Sequence, residues 1–233
     1  MKVTALSLAF LAASTMSAAN AGEPARLLAR MKSACGGSSW DRVQSWHERS
    51  VAEIEGMPLI QNEVWHDMRT LKSAMTSSIN GKAIRRTGFN GKTAWRVGPD
   101  GQAKMVSDEA ELRRERRDVY LSSFGWFFAK RFPARISNPK RESFGGRRYL
   151  VINVEPKDAE PFDLWVDPST LLVRRIVAGT EFAELSDYKM FDGVCTATNG
   201  RQGDNASGRT IMLKVLDVKT GEVAPAAVFE TPQ

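Results

Sequence analysis

Asn80-Gly-Lys-Ala-Ile-Arg-Arg-Thr-Gly-Phe-Asn-Gly-Lys-Thr-Ala-Trp-Arg-Val-Gly-Pro-Asp-Gly101 is the stretch that decides the fold class. Three turn pairs, Asn80-Gly81, Asn90-Gly91 and Asp100-Gly101, recur at about ten-residue spacing in it, which is the rhythm of consecutive hairpins. Each pair is a hairpin signal because the two central residues of such a turn take positive φ. Short strand-like runs lie between and after them, Thr93 to Val97 and Ala103 to Val106. Regular turns at this interval indicate an antiparallel meander rather than alternating strands and helices.

Downstream the meander is interrupted once. Ser107 or Asp108 can cap a helix, and Asp108, Glu109 and Glu111 suit its positive N-terminus. This helical region is predicted to run to about Phe132-Pro133, with a break near Gly125. Its first half carries Arg113, Arg114, Arg116 and Arg117; its second half is dense in Val119, Tyr120, Leu121, Phe124, Trp126, Phe127 and Phe128. The arginines read either as a solvated helix face or as a surface that meets anionic membrane. Extended segments are then expected over Ala134–Ser143, Gly146–Glu155, Phe162–Asp167, Leu171–Val177, Glu181–Phe191 and Thr210–Val218, with Asn199–Gly208 as a polar, Gly-rich mobile loop.

Upstream, Glu23–Cys35 reads as a helix. Pro24 fits its first position, Leu27, Leu28 and Met31 share a face, and Gly36-Gly37 stops it. Before it, Lys2, the apolar run Val3–Ala13 and the small-x-small Ala19-Asn20-Ala21 make the three parts of an export signal, so residues 1–21 are expected to be removed. That run is too short to span a bilayer, for which about 20 residues are needed, and no later apolar segment could do so. Cleavage leaves 212 of the 233 residues and, with Lys2 gone, lowers the formal net charge from +6 to +5. The expected product is one domain over 22–233, soluble in the periplasm, with no transmembrane segment. The basic residues are too dispersed to indicate nucleic acid as a partner. In an exported chain, Cys35 and Cys195 are a candidate disulfide; two free thiols or an intermolecular bond are the alternatives.

Catalytic chemistry finds no constellation. The two histidines, His47 and His66, are not in His-Glu-x-x-His spacing, and with the cysteines they match no zinc framework, so no metal is expected. No Gly-x-Ser-x-Gly occurs. Gly91-Lys92-Thr93 resembles the end of a phosphate loop, but Arg86 stands where that loop needs glycine, and a strand follows where it needs a helix. Asp163 and Asp167 flank Trp165, yet Asp167 is explained as the first residue of a turn. The chain therefore reads as non-enzymatic, with no catalytic residues and no cofactor.

Four segments together resemble a known family. Gly88–Gly101, Leu164-Trp-Val-Asp-Pro-Ser-Thr-Leu-Leu-Val-Arg-Arg175, Ser186-Asp-Tyr-Lys-Met-Phe-Asp-Gly-Val194 and the ending Val228-Phe-Glu-Thr-Pro232 are similar, in order and spacing, to the outer-membrane lipoprotein carrier and sorting proteins, the LolA-like family. The resemblance implies a mainly β (α+β) fold: an incomplete, strongly curved antiparallel β-barrel with helices plugging its concave face. Such a barrel would enclose an apolar cavity for acyl chains. Trp95 and Val97 would share one face with Thr93, Phe162 would share another with Leu164 and Val166, and Phe124, Phe127 and Phe128 would face them from the insertion. The family's Arg-Pro step has its counterpart in Trp65-His-Asp-Met-Arg69-Thr70, which implies a lid or release role for Arg69, here without the proline. In the family fold the first helix packs near the late strands, which would bring Cys35 to Cys195. The implied function is periplasmic binding or carriage of a lipid or lipid-modified protein in outer-membrane sorting, with an inner- or outer-membrane partner protein. The same fold also serves as the sensing domain of an envelope-stress regulator, so a protein-interaction or regulatory module is the alternative.

Overall fold

In the computed structural model, which describes residues 22–232, Asn80 and Gly81 both take positive φ (50° and 77°) and close the tight hairpin between β3 (Lys72–Ile79) and β4 (Lys82–Phe89). The next two turns also close hairpins, to β5 (Ala94–Val97) and β6 (Ala103–Met105), but by other means. There the glycine alone has positive φ, and the Asn90 and Asp100 side chains accept hydrogen bonds from the following backbone. Upstream lie α1 (Gly22–Ala34), β1 (Ser45–Glu53) and β2 (Ile60–Asp67).

The interruption is α2 (Glu109–Ser122), capped by the Asp108 carboxylate accepting from Glu111 N at 2.7 Å. The helical region is shorter than predicted. Phe124 adopts left-handed φ (50°), a single 3-10 turn follows over Gly125–Phe127, and turns lead to Pro133.

The extended stretch predicted over Ala134–Ser143 is two strands, β7 (Ala134–Ile136) and β8 (Lys140–Phe144), because Pro139 has no N–H to continue a ladder. Then come β9 (Arg147–Pro156), β10 (Phe162–Val166), β11 (Val173–Ala178), β12 (Glu181–Phe191), β13 (Val194–Asp204) and β14 (Thr210–Lys219). The expected mobile loop at Asn199–Gly208 is corrected here: Asn199–Asp204 is the end of β13, paired with β12 on one side and, over Asn199–Gly203, with β14 on the other. Two neighbours satisfy its backbone despite the missing apolar alternation. Gly203 is needed because a Cβ there would lie 2.6 Å from the Phe182 ring.

The strands form one antiparallel sheet ordered β6-β5-β4-β3-β2-β1-β14-β13-β12-β11-β10-β9-β7, with β8 also on β9. Pairing β1 with β14 joins the two ends of the strand order in the middle of the sheet; β6 and β7 remain as separate edges, so the curved sheet is an unclosed barrel. Its core lies at the α1 end. Leu27, Leu28 and Met31 of α1 pack with Trp40, Trp46, Ile152, Val154, Leu164 and Val166. Trp40 stacks on Trp46 with the rings 6.1 Å apart and meets Phe124 at 4.6 Å. Cys35 and Cys195 are joined in a disulfide (Cα–Cα 4.9 Å) that fastens the end of α1 to β13, and Cys195 N donates to Cys35 O at 3.1 Å. The export segment read at residues 1–21 lies outside the described residues. No described helix is long and apolar enough to cross a membrane.

Candidate ligand cavity

Alternation along β1 points Trp46, Glu48, Ser50 and Ala52 to the concave side, and the same rule on β2 points Ile60, Asn62, Val64 and His66 there. The register sets these in rows across the sheet: Trp46 beside His66, Glu48 beside Val64, Ser50 beside Asn62. On β3, Ser73, Met75 and Ser77 continue the rows. From the other half of the sheet come Val173 and Ile176 of β11, Phe182 and Leu185 of β12, and Leu213 and Val215 of β14. The resulting cavity has a volume of about 1080 Å³.

Its roof is α2 and the turn beyond it, through Val119, Leu121, Phe124, Trp126 and Phe127. Ion pairs hold α2 to both halves of the sheet region. On one side Arg96 of β5 reaches Glu111 at 2.5 Å and also Glu115. On the other, Arg117 is buried and reaches Glu181 at 2.5 Å, Glu160 at 3.1 Å and its neighbour Asp118. The arginine cluster is therefore not one free basic patch. Arg117 points inward because its position on α2 faces the sheet, Arg116 pairs with Glu109 at 2.8 Å, and Arg113 donates to Ala159 O at 3.3 Å. Burial pushes the Asp118 carboxyl above its ordinary range, against the pull of Arg117.

The residues read from sequence as ligand contacts separate in space. Phe124 and Phe127 line the cavity. Phe162, Leu164 and Val166 do share a face, but it is packed solid in the core, with Phe162 against Tyr120 and Trp126. Phe128 is buried beside Phe132 and the Lys32 and Arg131 side chains. Trp95 and Val97 are buried on β5 away from the cavity wall, and Trp95 Nε1 donates to Phe229 O at 3.2 Å. Arg69 sits in the β2–β3 turn, its backbone N donating to Asp67 and its exposed guanidinium 3.9 Å from the same carboxylate. A separate recess of about 790 Å³ lies between α1 and β7, lined by Pro24, Leu28, Lys32 and Ile136; Trp126 and Phe127 stand between it and the main cavity.

Sequence reading missed Glu48 and His66. The two histidines lie on opposite faces of the sheet. His47 stacks on Trp65 at 3.7 Å and bonds Glu63 and Glu222 on the outer face. His66 is turned inward and 5% exposed, and its Nδ1 has no hydrogen-bond partner. Burial pushes its pKa down to about 4, and burial pushes the Glu48 carboxyl up, opposed by hydrogen bonds from Trp46 and Ser50. No alternation of apolar and polar residues marks β1, Ser45-Trp-His-Glu-Arg-Ser-Val-Ala-Glu53, so its sequence does not announce that the inward face holds an acid beside the imidazole of β2.

His66 is neutral in the fold, with a pKa below that of the unfolded chain, so its contribution is fully present above pH 6.5 and is lost as pH falls towards 4. Glu48 acts in the opposite sense, since its folded pKa is raised. Comparing wild type with His66→Phe cancels Glu48. Urea unfolding from pH 7 to pH 4 should show wild type losing about 3 kcal/mol more than the variant. Equal losses would show that His66 is not held neutral.

No family model matches the chain, and no curated protein matches it. Solved structures do. A DUF1329 family protein from Desulfovibrio piger superposes with a TM-score of 0.63 at 14% identity, over 89% of this chain and 95% of that one. A LolA superfamily protein from Nitrosomonas europaea gives 0.56 at 14% identity over 86% and 97%. A putative outer membrane lipoprotein-sorting protein domain from Vibrio parahaemolyticus gives 0.52 at 12% identity over 87% and 94%. The fold of this chain is the LolA-like one.

Proposed function

We propose that this protein is an exported, non-enzymatic carrier that takes the acyl chains of a lipid or lipoprotein into the cavity under α2, in the service of outer-membrane sorting. The observation that carries the reading is the cavity of about 1080 Å³, walled by apolar side chains from both halves of the sheet and roofed by Phe124 and Phe127. Binding sites for drug-sized ligands span about 300–1,000 Å³ and are mostly apolar with few polar groups; this cavity lies just above that range, with room for acyl chains. The likeness in fold to a lipoprotein-sorting domain supports the choice of cargo. The reading of residues 1–21 as an export signal supports a periplasmic carrier, and N-terminal sequencing of exported material should begin at Gly22. Mass spectrometry of organic extracts of the protein purified from its native host should find lipid in stoichiometric amount. A ligand-free extract, with no uptake of a fatty-acyl fluorescent probe, would remove the carrier reading and leave a protein-interaction module.

A further inference from the structure

The floor of the cavity is not uniformly greasy. On β1–β3 its inward face sets Glu48, Ser50, Asn62, His66, Ser73 and Ser77 among Trp46, Ala52, Ile60, Val64 and Met75; β13 adds Thr196, Asn199 and Gln202, while β11, β12 and β14 present chiefly aliphatic and aromatic side chains. Much of the polar side is already satisfied: Ser77 donates to Asn62 at 2.8 Å, and Trp46 Nε1 donates to Glu48 at 3.3 Å. The His66 ring is not, and on the roof Trp126 Nε1 is likewise buried without a partner. A buried ring nitrogen without a partner costs free energy, and the His66 imidazole stands in the cavity wall, where a polar group of a ligand that reaches the ring offsets that cost. Because Trp46 lies opposite His66 and Glu48 opposite Val64, Glu48 and His66 are diagonal neighbours on one face, within reach of a single small group.

We propose that the ligand of this cavity is an uncharged amphiphile bearing hydroxyl groups, of the monoacylglycerol type, whose hydroxyls lie against Glu48 and His66 while its hydrocarbon lies along the adjacent strands β11 and β12 and under Phe124 and Phe127. The proposal rests on the carrier reading and narrows its ligand. A neutral imidazole offers one donor and one acceptor, and a carboxylate offers acceptors; a hydroxyl both donates and accepts and so can complete both. An anionic head would meet Glu48 as a like charge, which forces one of the two acids to take a proton. Arg117 is committed to three carboxylates; Arg85, on β4 in the row of Ser50, is three strands from Glu48, and Arg209 precedes the start of β14, so neither is a neighbour of Glu48. An ammonium head could pair with Glu48 but loses more hydration on entering an apolar cavity than a hydroxyl does.

The test uses the full mature chain and three twelve-carbon probes at neutral pH: monolaurin, laurate and dodecylammonium, each displacing one apolar fluorescent probe. Monolaurin should bind about tenfold more tightly than either ion, the scale of one or two net hydrogen bonds. Glu48→Gln should recover laurate binding selectively, and His66→Leu should weaken monolaurin by about three- to tenfold relative to the apolar probe. Laurate or dodecylammonium binding as tightly as monolaurin would overturn the proposal while leaving the carrier reading intact. So would Glu48→Gln and His66→Leu variants with unchanged preferences. If none of the three binds, the carrier reading falls and this proposal falls with it.

Discussion

Replacing Cys35 and Cys195 together by alanine is expected to lower the unfolding free energy by up to about 5 kcal/mol. The bond closes a loop between residues separated by 160 positions, and the chain-entropy argument gives a large effect because the unlinked unfolded chain gains that much more freedom. The native side of the balance adds to it. The disulfide holds the end of α1 against β13, where Cys35 O also accepts from Trp40 Nε1 at 2.7 Å and from Cys195 N at 3.1 Å. Guanidinium unfolding of wild type and double variant, both in oxidising buffer, gives the difference directly. A difference below about 1 kcal/mol would mean that the helix–sheet contact holds the native state without the bond. Thiol titration of the denatured, unreduced wild type should find no free thiol.

The second large effect separates core from cavity. Trp95→Ala should cost about 3–5 kcal/mol, since it removes a fully packed indole and leaves a void. The indole is 1% exposed, lies so close over Gly88 that a Cβ there would come within 2.4 Å of it, and ties the chain's end down through Phe229 O. Phe127→Ala removes a side chain whose ring borders empty space on two sides, the main cavity and the α1–β7 recess. It should cost clearly less, because much of the cost of a core truncation is the new void, and here space is already present. Binding of a fatty-acyl probe should respond in the opposite order: Phe127→Ala weakens it and Trp95→Ala, measured where it is folded, does not. Equal destabilisation by the two substitutions would indicate that Phe127 is ordinary core and that the roof is not a ligand surface.

These two cases also show why the site was harder to read than the fold. Trp95 and Phe127 look alike in the sequence: large aromatic residues at the inward position of an apolar pattern. Core and cavity lining draw on the same residue types, so composition cannot tell a side chain that fills space from one that borders it. Glu48 and His66 are 18 positions apart by number and become diagonal neighbours through the β1–β2 register alone.

What the sequence determined by itself was local. Asn80-Gly81, Asn90-Gly91 and Asp100-Gly101 dictate hairpins because few other residues accept those turn geometries, and a run of hairpins dictates an antiparallel meander. Pro24 with Leu27, Leu28 and Met31 makes an amphipathic α1, and Asp108 starts α2 by capping it. Tertiary structure decided everything that depends on which surfaces meet. It made Asn199–Asp204 a strand by flanking it on both sides as far as Gly203, turned Arg117 inward to three carboxylates, and packed Phe162, Leu164 and Val166 solid. It also left open the space beneath Phe124 and Phe127. The physical reason is range: turn and cap energies act over about four residues, whereas burial and cavity volume are sums over side chains contributed by strands far apart in the chain.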